Sequence, residues 1–320
     1  MDRNIVDTCV AMAPPSVGNM AVGFDILGHA LNAPGDQVRA TRVAKHGVEI
    51  NAVSGVATQL PRDAARNTAG LGVIRLLEEQ GADFGVVLDV HKHIALGSGM
   101  GGSASSAVAA VVAVNQLLNE PLEPEELLRY ALIGEAVASD AVHGDNVAPC
   151  LFGGIVFIPP QRPQDFVRVP VPTGLHCVLV RPEIRLDTRA GRKLLDTSCG
   201  LDRVVQQTAN LAGVLCACYN NDLEGLRHAL NDVLIEPQRS QQIAGFDAIK
   251  TAALDAGALG CAISGSGPSM IAWCEQSAAP QIAENMKSAV RRFHPEYQML
   301  QSAVESPGAE VIPMEEWQGD

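Results

Sequence analysis

The sequence is short of positive charge. Its 23 Lys and Arg face 36 Asp and Glu, a formal net charge of -13 at pH 7. Nucleic acid and anionic membrane are therefore excluded as general partners, because both would be repelled at long range. No C-x-x-C pair occurs. The eight cysteines (Cys9, Cys150, Cys177, Cys199, Cys216, Cys218, Cys261 and Cys274) follow no regular framework, and most lie among apolar neighbours. That distribution argues against a disulfide scaffold and predicts free thiols in a reducing compartment. The first residues, "MDRNIVDTCVAMAPP", lack a basic region followed by an apolar core, so no secretory signal is expected. The uncharged run from Ile94 to Asn119 is rich in Gly and Ser in its first half, and its apolar part is too short to span a bilayer. A cytoplasmic location is the expectation. Internal repeats and low-complexity linkers are missing as well.

What remains is globular. Hydrophobic residues make up 47% and charged residues 18% of 320 positions, enough chain for two domains of ordinary size. Short β-branched runs, "DTCVAMAP", "DQVRATRVA" and "GVVLDVHKH", read as strands, and "NTAGLGVIRLLEEQG" reads as a helix capped by Asn67 and stopped by Gly81. "GGIVFIPP" is a further strand. After a proline-rich crossing, "HCVLVRP" opens a second unit with helices at "RVVQQTANLAGVLCACYNN" and "GFDAIKTAALDAGA" and a strand pair at "CAISGSGPSMIAWC". The mixed order favours an α+β fold over a doubly wound sheet.

The segment "ALGSGMGGSASSAVAAVVAVNQLLN", Ala95 to Asn119, concentrates glycine before an Ala/Val-rich helix. Glycine suits a backbone at positive φ or in close approach to a ligand, and the helix behind it offers unpaired N–H groups to an anion. Three readings fit: phosphoryl transfer, a dinucleotide-dependent redox site, and a tight bend without a ligand. Gly97, Gly99 and Gly102 match G-x-G-x-x-G, but the acidic residues about twenty positions on fall in a helix start rather than at a strand end. No Gly-Lys-Ser/Thr closes a Walker loop. Ser103, Ser105 and Ser106 could simply cap the helix.

Two further features bear on the choice. A helix beginning at Pro124 carries Leu128, Ala131, Leu132 and Glu135 on one face by 3.6-residue spacing. An inward carboxylate needs a partner, either a metal ion or an arginine. A second glycine-rich turn, "GALGCAISGSGPSM" from Gly257 to Met270, is by itself an ordinary hairpin turn. Two such loops in one chain suggest a cleft around a polyanion.

Taken in order and spacing, "PPSVGNMAVGFDILG", "GSGMGGSASS" and "GCAISGSGPSM" resemble the three motifs of the GHMP kinases, and the resemblance covers nearly the whole chain. Within that family, "VHGDNVAPCLFGG", "IRLDTRAGRKLL" and "IEPQR" are most similar to the branch whose acceptor is L-homoserine. The resemblance implies an N-terminal ATP-binding domain over 1–168, like the second domain of ribosomal protein S5, and a ferredoxin-like C-terminal domain over 169–320. It implies ATP held by Ala95, Leu96, Gly97, Ser98, Gly99, Met100, Gly101, Gly102, Ser103, Ala104 and Ser105, with Lys92 near the phosphates and Asn67 near the base. Ser103 and Glu135 become ligands of Mg²⁺. Asn19, Asp25, Asn146, Thr188, Arg192 and Arg239 become the homoserine site, with Gly265 to Ser269 beside it. Ser103, Glu135 and Asn146 are then the catalytic set, and assembly as a homodimer is compatible with the resemblance. The chain departs from the family pattern at Gly102, Ala95 and Ala21, where Ser, Pro and Gly are common. Asn146 stands near the position where mevalonate-kinase-like relatives carry an Asp base; because Asn cannot accept a proton at neutral pH, the resemblance implies a branch acting without a side-chain base, with adjacent Asp145 the less favoured candidate for that role. A kinase of another small alcohol, or an inactive nucleotide-binding relative, remains the alternative.

Overall fold

The computed structural model describes residues 7–138, 144–193, 195–196 and 198–319. The strands and helices run β1 (Thr8–Ala13), β2 (Ser16–Gly18), β3 (Leu27–Ala30), β4 (Asp36–Val43), β5 (Val48–Gly55), α1 (Thr68–Glu79), β6 (Gly85–Lys92), α2 (Gly102–Asn115), α3 (Pro124–Glu135) and α4 (Gly144–Phe152). They continue with β7 (Ile155–Phe157), β8 (Val167–Val169), β9 (Leu175–Pro182), α5 (Thr188–Lys193), α6 (Leu201–Tyr219), α7 (Leu223–Ala229), α8 (Glu236–Arg239) and α9 (Phe246–Asp255). β10 (Gly260–Ile263), β11 (Met270–Glu275), α10 (Ala279–Val290), β12 (Tyr297–Ala303) and β13 (Glu310–Ile312) complete the order. This is an α+β fold.

Local chemistry sets the ends of the elements that carry the site. The Asn67 side chain accepts the Ala69 N–H at 2.9 Å and starts α1, and Gly81 at φ +60° ends it. Glu126 reaches back to the Glu123 N–H at 3.1 Å, which together with Pro124 fixes the start of α3. The inward face expected of α3 is buried, Glu135 included.

Three sheets organise the chain. The first, β13-β1-β4-β6-β5, is antiparallel except for the β5–β6 pair, which α1 connects. Helix α2 lies between this sheet and helices α1, α3 and α4, and every residue from Ala104 to Asn115 is buried. Its all-round Ala/Val composition answers that position, since no face of it meets water. The second sheet, β10-β11-β9-β12, has α9 and α10 on one side. Its other side shares a core with α6, α7 and the third sheet, β2-β3-β7-β8. The division after residue 168 falls inside β8, and β13 returns to pair with β1 (Val10 opposite Ile312), so the C-terminal tail completes the first sheet. Among the described residues, no helix is long and apolar enough to cross a membrane. All eight cysteines are free and six are buried.

A buried histidine joins the second and third sheets. His29 on β3 donates from Nδ1 to the Ala30 carbonyl at 2.9 Å, and its Nε2 accepts the Trp273 indole N–H of β11 at 3.0 Å. This ring must be neutral to accept, and burial pushes its pKa down to about 4. Between that value and the ordinary value of about 6.5 the unfolded chain binds more protons, so stability is complete above about pH 6.5 and falls as pH drops toward 4. The expected loss from this group is about 2 kcal/mol between pH 7 and pH 5, read from urea unfolding. His29→Gln should flatten that part of the slope. An unchanged slope in the variant would assign the acid sensitivity to other groups.

Candidate active site

The loop from Ala95 to Gly101, between β6 and α2, is held from outside by its carbonyl groups. Gly97 O accepts the Leu186 N–H at 3.3 Å, Met100 O accepts the Ser16 N–H at 3.1 Å, Ser98 O accepts the Ser269 hydroxyl at 2.7 Å, and Gly99 O accepts the Ser264 hydroxyl at 2.6 Å. The second glycine-rich turn thus clamps the first. Ala95 to Gly101 line the cleft, and within the loop the Met100 N–H donates to Ser98 Oγ at 3.3 Å. A Cβ on Gly99 would stand 2.5 Å from the Ser264 carbonyl oxygen, and one on Gly101 would stand 2.1 Å from Ser16 Oγ. Gly101, at φ +65°, is the N-cap of α2 and contributes no side-chain bond, so no serine caps this helix. Gly102 and Ser103, at the uncapped start of α2, line the cleft, and the N-terminal N–H groups and positive dipole end of such a helix attract an anion.

Beside it, Ser103 in the first turn of α2 donates to the Glu135 carboxylate at the end of α3, at 2.9 Å. The pair offers a hydroxyl and a carboxylate, hard oxygen donors of the kind Mg²⁺ takes together with phosphate oxygens and water. Among the described residues there is no cluster of three His, Cys, Asp or Glu side chains that could hold a metal by itself. A Mg²⁺ that arrives with a nucleotide fits this donor set.

The same cleft, about 390 Å³, reaches from Ala95–Ser103 and Glu135 to Asn19, Asp25, Asn146, Arg192 and Arg239. The far end is built by the β2–β3 connection, where Asn19, Met20, Ala21 and Asp25 all take positive φ (71°, 37°, 60° and 62°). A non-glycine residue in this region is strained, and local bonds hold it. Asn19 donates from its N–H to Asp145 Oδ2 at 2.9 Å and from Nδ2 to the Gly265 carbonyl at 2.9 Å, while its Oδ1 accepts the Asp25 N–H at 3.1 Å. Ala21 adopts the conformation that the glycine common at this point of the motif would take without cost. Asp25 pairs through both carboxylate oxygens with Arg192 of α5, and Arg239 of α8 donates to the Gly265 carbonyl at 2.9 Å. Both guanidinium groups stand over the Phe24 ring, at 5.4 and 5.2 Å. Burial draws the Arg239 pKa below its ordinary value, with Asp25 opposing. Asn146, in the first turn of α4, accepts from the Ser16 hydroxyl at 3.1 Å.

Four of the expected nucleotide residues sit elsewhere. Lys92 is 1% exposed, and its ammonium points to the Asp36 carboxylate, the Gly102 carbonyl and the Ser106 hydroxyl beneath the loop instead of into the cleft. The Ser105 hydroxyl donates to the Ala13 carbonyl at 2.6 Å, and Ala104 is buried in the helix packing. Asn67 spends its side chain on Ala69 N–H and, at 2.6 Å, on the Pro61 carbonyl. None of the four lines the cleft. Thr188 begins α5, but its side chain is outside the described set. Sequence reasoning missed Phe24, Arg185 and Arg189, which do line the cleft. The signal was present: "IRLDTRAGR" carries three arginines in eight positions of an acidic chain.

The family described as GHMP kinases N terminal domain matches residues 67–154, and GHMP kinases C terminal matches residues 214–292. The homoserine kinase of Xylella fastidiosa (strain M12) is 46% identical over 303 residues, covering 94% of this chain and 93% of the relative. The homoserine kinase of Xanthomonas campestris pv. campestris (strain B100) is 43% identical over the same shares. The crystal structure of homoserine kinase from Cytophaga hutchinsonii ATCC 33406 superposes with a TM-score of 0.93 at 40% identity, covering 97% of this chain and 99% of that one.

Proposed function

The chain belongs to the GHMP kinase family and, within it, to the homoserine kinases, and from that premise we propose how its cleft divides the work. Its reaction is ATP-dependent phosphorylation of the side-chain hydroxyl of L-homoserine to O-phospho-L-homoserine, a step of threonine biosynthesis. One observation carries the assignment of roles: a single cleft joins an uncapped, glycine-lined helix N-terminus to a carboxylate and two arginines at its other end.

Amide groups of Gly97 to Ser103 bind the phosphates, and Ser103 with Glu135 holds Mg²⁺. When bound there, Mg²⁺ would neutralise charge on the phosphates. Asp25 takes the ammonium of homoserine, Arg239 and Arg192 take its carboxylate, and Asn19 and Asn146 orient the hydroxyl. Orientation and fixed dipoles are most of what phosphoryl transfer asks of a protein. No side chain is assigned as base. Asn146 cannot accept a proton; Asp145 borders the cleft but is 1% exposed, accepting the Asn19 N–H at Oδ2 and Asn146 Nδ2, at 3.3 Å, at Oδ1, and is given the role of a strut.

An ADP-release assay across homoserine, mevalonate, galactose and shikimate tests the activity, with turnover expected for homoserine alone. The arginine assignment has its own test. A guanidinium grips a carboxylate through paired charge-assisted hydrogen bonds, so Arg239→Met should cost about 1.5–3 kcal/mol, roughly ten- to a hundredfold in kcat/KM for homoserine. The ATP KM should barely move. 3-Amino-1-propanol lacks the carboxylate and should be a poor substrate that loses little further in the variant. Equal losses for both substrates would mean that Arg239 does not read a carboxylate.

A further inference from the structure

Beside Arg239 lies a small cavity of about 10 Å³ walled in part by Asn19, Asp232, Ile235, Glu236, Arg239 and Gly265. Two buried polar atoms on these lining residues have no hydrogen-bond partner among the described residues, Arg239 Nε and Glu236 Oε2. They are a donor and an acceptor, from residues three apart on α8 that are 4% and 8% exposed. The neighbouring polar atoms are committed. Arg239 Nη1 donates to the Gly265 carbonyl at 2.9 Å, and Glu236 Oε1 accepts from the Lys250 ammonium of α9. Asp232 accepts the N–H groups of Leu234, Ile235 and Glu236 at 2.9, 3.0 and 2.8 Å.

A buried charge with an unmet hydrogen bond is costly on each side, and one molecule able to accept from Nε–H while donating to Oε2 removes both costs. Water does both, and the cavity has about the room one water needs, with several polar walls. We infer that an ordered water sits there and ties the Arg239 guanidinium to the Glu236–Lys250 ion pair, which makes Glu236 a positioning residue for the group that reads the substrate carboxylate. The Gly265 contact holds one end of the guanidinium and the water holds Nε, so its plane is fixed by two points. This accounts for the Glu of "IEPQR", which touches nothing in the cleft itself. The inference rests on the assignment of Arg239 to the carboxylate.

The test is the double variant Glu236→Met/Lys250→Met, which removes both charges together and strands neither. Homoserine kcat/KM should fall roughly tenfold, through KM, as the guanidinium loses its fixed plane. The ATP KM and the kcat/KM for 3-amino-1-propanol should stay within about twofold, a selectivity that a general loss of structure does not produce. Glu236→Gln keeps an acceptor oxygen toward the cavity and should recover most of the homoserine KM. Parallel losses for homoserine and the analogue, or a wild-type homoserine KM in the double variant, would overturn the inference. Failure of Arg239→Met to separate homoserine from the analogue would remove the underlying assignment; if Arg239→Met separates them and the double variant does not, only the positioning role falls. A high-resolution crystal structure gives an independent readout, with density expected between Arg239 Nε and Glu236 Oε2, and an empty cavity would refute the water.

Discussion

Glu135→Ala and Ser103→Ala are each expected to lower turnover about a hundredfold while the protein stays folded. The reason is electrostatic. Charge on a transferring phosphoryl group must be met by fixed positive or polar groups, and loss of one such stabiliser commonly costs around 3 kcal/mol. Ser103 and Glu135 come from different helices and meet at 2.9 Å on the wall of the cleft, beside the uncapped start of α2. Glu135 is 3% exposed, so the stability of its variant has to be read beside its turnover. The measurement is turnover against Mg²⁺ concentration, together with the urea midpoint of each variant. A metal role predicts a shifted Mg²⁺ dependence at a near-normal midpoint. Near-normal turnover in both variants would move the metal to other ligands.

That pair shows what the sequence made legible. The inward position of Glu135 follows from 3.6-residue spacing with Leu128, Ala131 and Leu132, and Pro124 marks where α3 begins. The glycine loop between β6 and α2 was legible from its composition, because the φ values its backbone needs exclude most side chains. The β2–β3 connection was harder. Its left-handed Asn19, Met20, Ala21 and Asp25 carry no glycine at those positions, and the bonds that hold them reach Asp145 and Gly265, 126 and 246 residues away. Strand β12 and helix α4 were not anticipated either. β12 is only half-buried and lacks clean alternation, and α4 contains Pro149. Asn67 illustrates competition between two readings of one residue: an amide spent on capping α1 is not free to meet a base. Lys92 was within reach. Val86, Leu88, Val90 and Lys92 alternate along β6 on one buried face, so period-two reasoning puts the lysine in the core. What the sequence could not reveal was its partner, Asp36, on the neighbouring strand.

Lys92→Met should destabilise the fold by about 3–5 kcal/mol, the cost of breaking a buried ion pair from one side. Asp36 is fully engaged. Oδ1 accepts the His93 and Ile94 N–H groups at 3.0 and 3.1 Å, and Oδ2 accepts the Lys92 ammonium and, at 2.7 Å, the Ser106 hydroxyl. Lys92 in turn donates to the Gly102 carbonyl at 2.7 Å and to Ser106 Oγ at 2.8 Å. One network therefore grips both ends of the glycine loop, residues 92–94 where the chain enters and Gly102 with Ser106 where it leaves. Without the lysine, a carboxylate is stranded in the core at the point that sets the span of the loop. Asp36→Asn in the Lys92→Met background should restore at least half of the lost stability, because the amide oxygen still accepts both N–H groups and no charge is left unpaired. Urea midpoints of the wild type, both single variants and the double variant give the coupling directly. The competing role, an ammonium that serves the phosphates, makes the opposite forecast. Lys92→Met would then unfold like the wild type and lose nucleotide affinity, and adding Asp36→Asn would recover nothing. A stable Lys92→Met protein with a raised ATP KM would therefore return this lysine to the cleft.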